Sequence, residues 1–170
     1  AAIIKESGRR VWLGGNIGKA PFTFIDNIRP TDQVVLELSS FQLEDMDRSP
    51  HIAVITNFYP EHLAPADPHN PNYHPKLQDY WQAKLNIIRH QKSRDKAVVN
   101  EELRQKMEKE DFCSRVYYFG RSSWESRLVG EHNRENIAAA AQVAQILRIR
   151  KSHVNLAVKK FRGLPHRLEK

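Results

Sequence analysis

The sequence has a single cysteine, no long apolar run and no block of like charge, and each absence removes a class of protein. Cys113 has no second thiol to pair with, so there is no internal disulfide framework, and so little cysteine fits a reducing cytoplasm. Cys113 itself reads as a small, partly buried thiol. No stretch approaches the ~20 apolar residues that a membrane helix needs, so membrane insertion is not expected. The opening "AAIIKESGRR" is not read as a signal peptide, because its apolar part is short and its basic residues follow rather than precede it. Lys and Arg outnumber Asp and Glu by 27 to 20, for a net charge of +7. They are dispersed, without a run of five or six and without interleaved aromatics, so no nucleic-acid partner is expected. A site for phosphorylated small molecules would use the same charge.

What is present alternates. "AAIIKESG" reads as a helix end stopped by Gly8. "RVWLGG", "QVVLELSS", "HIAVITNF", "KAVVN" and "RVYYFG" read as strands. The second and third are nearly continuous apolar runs, as in a parallel sheet covered on both faces. "HPKLQDYWQAKLNIIRHQ" places Leu77, Trp81, Leu85 and Ile88 at helical spacing. "EELRQKMEKED", "HNRENIAAAAQVAQILRI" and "SHVNLAVKKF" read as further helices, the last with Ser152 as its N-cap. Strands alternating with helices imply an α/β domain: a mostly parallel sheet with helices on both faces. At 170 residues the chain is long enough for one such domain. "YPEHLAPADPHNPNYHP" holds five prolines and reads as a long loop, and "FRGLPHRLEK" reads as a linker after the last helix.

Ligands of an open parallel sheet bind beyond the carboxyl ends of its strands, and three motifs fall there: Gly14 to Gly18, Glu37 to Ser40, and Asn57 to His62. A carboxylate at Glu37, in a strand that looks dry, costs several kcal/mol unless it is paired or bound to a metal. Reaching solvent at the strand end is the plainer reading. Glu37 and His62 together can give a divalent cation an oxygen and an imidazole. Lys84 lies on the apolar side of its helix. It either snorkels to water or is desolvated enough to react as the free amine. Asn133 and Asn136, at i and i+3, face one way and can read a base edge, although a helix cap is the commoner use of Asn133. "GGNIGKA" is not a phosphate loop, since Leu13 stands where the first glycine belongs and Ala20 where Ser or Thr is needed. It reads instead as a tight turn whose backbone amides and Asn16 side chain approach an anion.

"GGNIG", "VVLELSSFQLE", "NFYPEHL", "YWQAKLNI", "GEHNRENIAAAA" and "GLPHRLE" occur here in the order seen in the Mur ligases. The resemblance spans essentially the whole chain, and "ELSSFQLE" with "GLPHR" is most similar to the branch that adds D-glutamate. It implies the central ATPase domain over residues 1–162 and the start of a C-terminal domain over 163–170. The family's phosphate loop is expected just upstream of the opening helix, so this piece alone is expected to be inactive. By resemblance, Glu37, His62 and Lys84 hold Mg2+, with Lys84 carbamylated. His62 and Lys84 are then catalytic. Asn16, Ser39 and Gln42 approach the UDP-sugar substrate, while Asn133, Asn136, His166 and Arg167 contact ATP.

The implied reaction joins D-glutamate to UDP-N-acetylmuramoyl-L-alanine through an acyl phosphate, in peptidoglycan precursor synthesis, by a cytoplasmic bacterial monomer. Two alternatives stand beside it: a Mur ligase for another amino acid, and a non-catalytic module that uses the basic surface. Glu61 and Ala64 depart from the family's usual aspartates, the proline-rich loop is long, and the stretch between Gly120 and Gly130 is short.

Overall fold

A computed structural model describes residues 1–61, 63–64 and 73–163. They form two compact units, residues 1–37 with 119 onward, and residues 38–118.

The first unit begins with helix α1 (Ala2–Glu6), whose chain turns out through Gly8 at φ +79°. Strand β1 (Val11–Gly15) pairs in parallel with β2 (Gln33–Glu37), in register from Val11 opposite Gln33 to Gly15 opposite Glu37. Two long helices, α5 (Glu131–Ile146) and α6 (Lys151–Lys160), complete the unit. The core is built from Ile3, Ile4, Ile137, Ala144, Ile149, Val154, Ala157 and Val158, with Val11 and Val35 of the strands packed onto it. On the other strand face Trp12 stacks on Phe24 at 5.2 Å, and its indole N–H donates to Asp32 at 2.8 Å. That bond is the main reason the Asp32 carboxyl sits below the usual carboxylate range.

The second unit holds helix α2 (Ser40–Glu44), strand β3 (Ile52–Ile55), helix α3 (Leu77–Arg89), strand β4 (Lys96–Asn100), helix α4 (Arg104–Met107) and strand β5 (Arg115–Phe119), which ends at the unit's boundary. The strand order is β3-β4-β5, with β3 and β4 parallel. The apolar face of α3 enters the core as the 3.6-residue spacing requires: Trp81, Leu85 and Ile88 pack on Ala53, Ile55, Ala97 and Val99, closed by Leu103 and Met107. Asn86, on the same helix, is buried and donates its amide to the carbonyls of Leu43 and Glu44, both at 2.9 Å. A side chain of α3 thus terminates α2.

The α/β class and the parallel pairing agree with the sequence, and four details differ. The strands form two sheets, β1-β2 and β3-β4-β5, rather than one. β2 is not covered on both faces: Val34 and Leu36, two residues apart and so on one side, are 43% and 41% exposed. Helix α6 starts at Lys151, capped by the extended Arg150 backbone, so Ser152 lies inside the helix and is not its cap. Cys113 is exposed.

Candidate active site

The chemistry-bearing side chains of the second unit gather around α3. Lys84 sits half-buried on that helix, with its ammonium 5.0 Å from the centroid of the Tyr80 ring one turn earlier. Burial pushes the Lys84 ammonium below the ordinary lysine range, and the Glu61 carboxylate opposes that shift. Burial raises the Tyr80 hydroxyl to about 12, with Glu61 adding to the effect. The lysine is therefore not fully in water, and among the described residues it forms no ion pair. Burial thus makes its proton easier to lose than that of a free lysine.

Tyr80 in turn belongs to an aromatic stack. Phe58 lies 5.0 Å from it, and Trp81 packs edge-on to Phe58 at 4.8 Å. His74, 1% exposed, lies 5.2 Å from Tyr80 and stacks on Phe41 at 4.7 Å, the two rings 3° from parallel. Its Nε2 is 2.9 Å from the Ser40 hydroxyl. Sequence reading singled out none of Tyr80, His74 and Glu61 as site residues. For Tyr80 the signal was available, because a residue four before a half-buried lysine on a helix must lie beside it. His74 follows a proline-rich stretch and meets Ser40 across 34 residues, a contact that no local pattern encodes.

Ser39 and Gln42 form a capping box at the start of α2. Gln42 N–H donates to Ser39 Oγ at 3.3 Å, and Ser39 N–H donates to Gln42 Oε1 at 2.9 Å. Both side chains therefore have a local structural role, while among the described residues the Ser39 hydroxyl proton and the Gln42 amide nitrogen have no acceptor and stand available as donors.

Four further positions lie in the first unit. Glu37 ends β2 half-buried, at the carboxyl end of the strand, where the sheet rule places ligands. Asn16 follows β1, and its backbone N–H donates to the Glu37 carbonyl at 2.7 Å. The Gly15 N–H donates to the Lys19 carbonyl at 3.3 Å. The Gly15 amide is thus used within the turn and the Asn16 amide across to β2, and the expectation that the turn's backbone cradles an anion is corrected to that extent. The exposed Asn16 side chain is what the turn presents. Asn133 is the third residue of α5 rather than its cap, which is Gly130, and its amide donates back to the Val129 carbonyl at 2.7 Å. Asn136 is exposed on the same face of that helix. His62, His166 and Arg167 lie outside the described residues. Among the described residues, no group of three or more His, Cys, Asp or Glu side chains is placed to hold a metal ion.

The donor types are compatible with Mg2+, which takes oxygen ligands. Taken singly, Glu37 would offer a carboxylate oxygen directly, and Lys84 would offer one only after its free amine had added CO2, forming an N–C bond and losing a proton to leave a carbamate.

Residues 18–124 match the Mur ligase middle domain. The chain is similar to the UDP-N-acetylmuramoylalanine–D-glutamate ligase of Clostridium tetani, at 34% identity over 98% of the chain and 40% of that protein. The ligase of the same name from Desulfovibrio desulfuricans is 35% identical over 100% of the chain and 38% of its own length. The chain thus spans about two-fifths of these relatives. Among solved structures, a MurF ligase from Thermotoga maritima in complex with ADP matches 96% of the chain and 44% of its own, with a TM-score of 0.66 at 16% identity, a likeness of fold. With the middle-domain match running across both units and relatives at this identity along its full length, the chain belongs to the Mur ligase family.

Proposed function

We propose that this chain is the central domain, over residues 1–162, of an ATP-dependent ligase that adds D-glutamate to UDP-N-acetylmuramoyl-L-alanine, with residues 163–170 leading into the amino-acid domain. The observation that carries the reading is Lys84: a half-buried lysine of lowered proton affinity, at the position where the resemblance requires one that takes up CO2. The names of the relatives supply the substrate class.

In this reading the terminal carboxylate of UDP-N-acetylmuramoyl-L-alanine attacks the γ-phosphorus of ATP, and the bond to the β-bridging oxygen breaks. The resulting acyl phosphate is attacked by the D-glutamate amine. Phosphate leaves, and the amine surrenders a proton. The electrostatic difficulty is the approach of two anions, which Mg2+ offsets when bound. Glu37, His62 and carbamylated Lys84 are the residues that would hold the ion. Asn16 and the free donors of Ser39 and Gln42 orient the UDP-sugar substrate. Asn133 and Asn136 read the adenine edge, with Asn133 fixed by the Val129 carbonyl and Asn136 exposed, and His166 and Arg167 contact the nucleotide.

The test is ADP release by the full-length protein, with UDP-N-acetylmuramoyl-L-alanine and a panel of amino acids. D-glutamate is expected to support turnover and the others to fail. Turnover with a different amino acid would reassign the chain within the family. No amino-acid-dependent turnover, combined with salt-sensitive binding to generic DNA, would favour a non-catalytic basic module.

A further inference from the structure

His74 is a buried polar side chain whose place in the core a leucine or phenylalanine would fill without the cost of dehydrating an imidazole. Three contacts account for its presence. Nε2 lies 2.9 Å from Ser40 Oγ, at the first residue of α2. One ring face stacks on Phe41 of the same helix at 4.7 Å. The ring also lies 5.2 Å from Tyr80 on α3, whose ring in turn sits 5.0 Å from the Lys84 ammonium. Ser40 stands between Ser39, which caps α2, and Gln42, which closes the capping box. His74 therefore touches, on one side, the turn that presents Ser39 and Gln42 and, on the other, the aromatic ring next to Lys84.

We propose that His74 is a positioning residue of the ligase site: by tying Ser40 at the head of α2 to the Tyr80 ring of α3, it holds the Ser39–Gln42 turn and the Lys84 amine in one fixed arrangement. The inference rests on the proposed function, which makes those residues the ones that meet substrate and metal. His74 reaches neither the substrate nor the reacting atoms. Its effect passes through Ser40 and Tyr80, where small misplacements of a catalytic group carry large kinetic penalties.

The experiment compares wild-type full-length protein with His74→Phe, His74→Gln and Ser40→Ala. Phenylalanine keeps the aromatic stack and loses the bond to Ser40, whereas glutamine carries an amide able to reach the hydroxyl. In His74→Phe, kcat is expected to fall on the order of 10-fold. KM for UDP-N-acetylmuramoyl-L-alanine is expected to rise, while KM for ATP stays within about twofold. Ser40→Ala should reproduce the effect, the double variant should add nothing to it, and His74→Gln should recover part of the loss.

A second readout needs no turnover: amide hydrogen exchange of the first turn of α2, followed by peptide mass spectrometry. Exchange there should speed up in His74→Phe and in Ser40→Ala and slow again in His74→Gln. Wild-type kinetics and wild-type exchange of that turn in folded His74→Phe would overturn the inference. If that variant fails to fold, Ser40→Ala, which deletes only a hydroxyl, decides by the same measurements. A wild-type protein without D-glutamate-dependent turnover refutes the proposed function, and the exchange measurement then judges the His74 inference separately.

Discussion

The Lys84 ammonium lies 5.0 Å from the centroid of the Tyr80 ring, and burial moves the two groups in opposite directions, the lysine down and the tyrosine up to about 12. Each shift favours the neutral form, and each is a statement about stability. For Tyr80 the folded value lies above the unfolded value of 10.0. Its contribution is fully present below pH 10.0 and is lost as pH rises through about 12. Tyr80→Phe should flatten the loss of stability over that window, measured as the urea midpoint of the full-length protein from pH 9 to 11.5. An unchanged alkaline slope would show that the hydroxyl is not dehydrated in the native state.

Lys84 has the reverse sign. Its folded value is depressed, so its contribution is present above the unfolded lysine value of 10.5 and is lost as pH falls through the folded value. In protein stripped of CO2 and metal, the buried ammonium is a cost at neutral pH. Lys84→Met should therefore raise the denaturation midpoint at pH 7 while abolishing ligase turnover, a separation of stability from activity expected at a functional position. Loss of both together would assign Lys84 to the core.

Asn86 yields a prediction independent of catalysis. Its amide satisfies the carbonyls of Leu43 and Glu44 at the end of α2, and its oxygen accepts from Arg89 at 2.6 Å. Asn86→Leu keeps the volume and strands two carbonyls, for a loss of roughly 2–4 kcal/mol. Equilibrium urea unfolding would register this as a lower midpoint at unchanged slope. A loss under about 0.5 kcal/mol would mean that solvent reaches those carbonyls.

The alternation of elements was legible because apolar runs and helical spacing are local. Trp81, Leu85 and Ile88 entered the core as their spacing required, and Gly8 ended α1. Ser152 misled because serine is a preferred cap, whereas the α6 boundary is set two residues earlier by the extended Arg150 backbone. The apolar run of β2 suggested burial on both faces, yet only the Val35 side packs on the helices of its unit while Val34 and Leu36 stay exposed; Glu37 shares the Val35 side and is half-buried at the end of the strand. Lys84 was legible as an anomaly of position. Its neighbourhood was not, because Glu61 and His74 come from outside its helix and only the folded chain brings them to it.

Two glycines at positive φ should respond very differently to a methyl group. At Gly15 (φ +103°) an added Cβ would stand 2.1 Å from the Glu37 carbonyl oxygen, the atom that accepts from Asn16 N–H. At Gly8 (φ +79°) nothing lies within 4 Å. Gly8→Ala should cost about 1 kcal/mol, the penalty of the left-handed backbone alone. Gly15→Ala adds a clash between backbones that neither strand can relieve by a rotamer change, and should cost at least about 3 kcal/mol. Thermal denaturation of the two variants side by side would show it, and equal shifts would mean that the end of β1 can separate from β2.

Ser39 carries two readings that one pair of substitutions separates. As the N-cap of α2 it accepts from Gln42 N–H, and Ser39→Ala should cost about 1 kcal/mol. Ser39→Asn retains a capping oxygen and restores most of that stability, but it replaces the hydroxyl with a bulkier amide. If Ser39 only caps, both variants keep the wild-type KM for UDP-N-acetylmuramoyl-L-alanine. If its hydroxyl also meets the substrate, KM rises in both, including the stable Asn variant, and the rise does not follow the denaturation midpoint. The second outcome is expected, because the capping box uses the Ser39 oxygen as an acceptor and leaves its proton to donate.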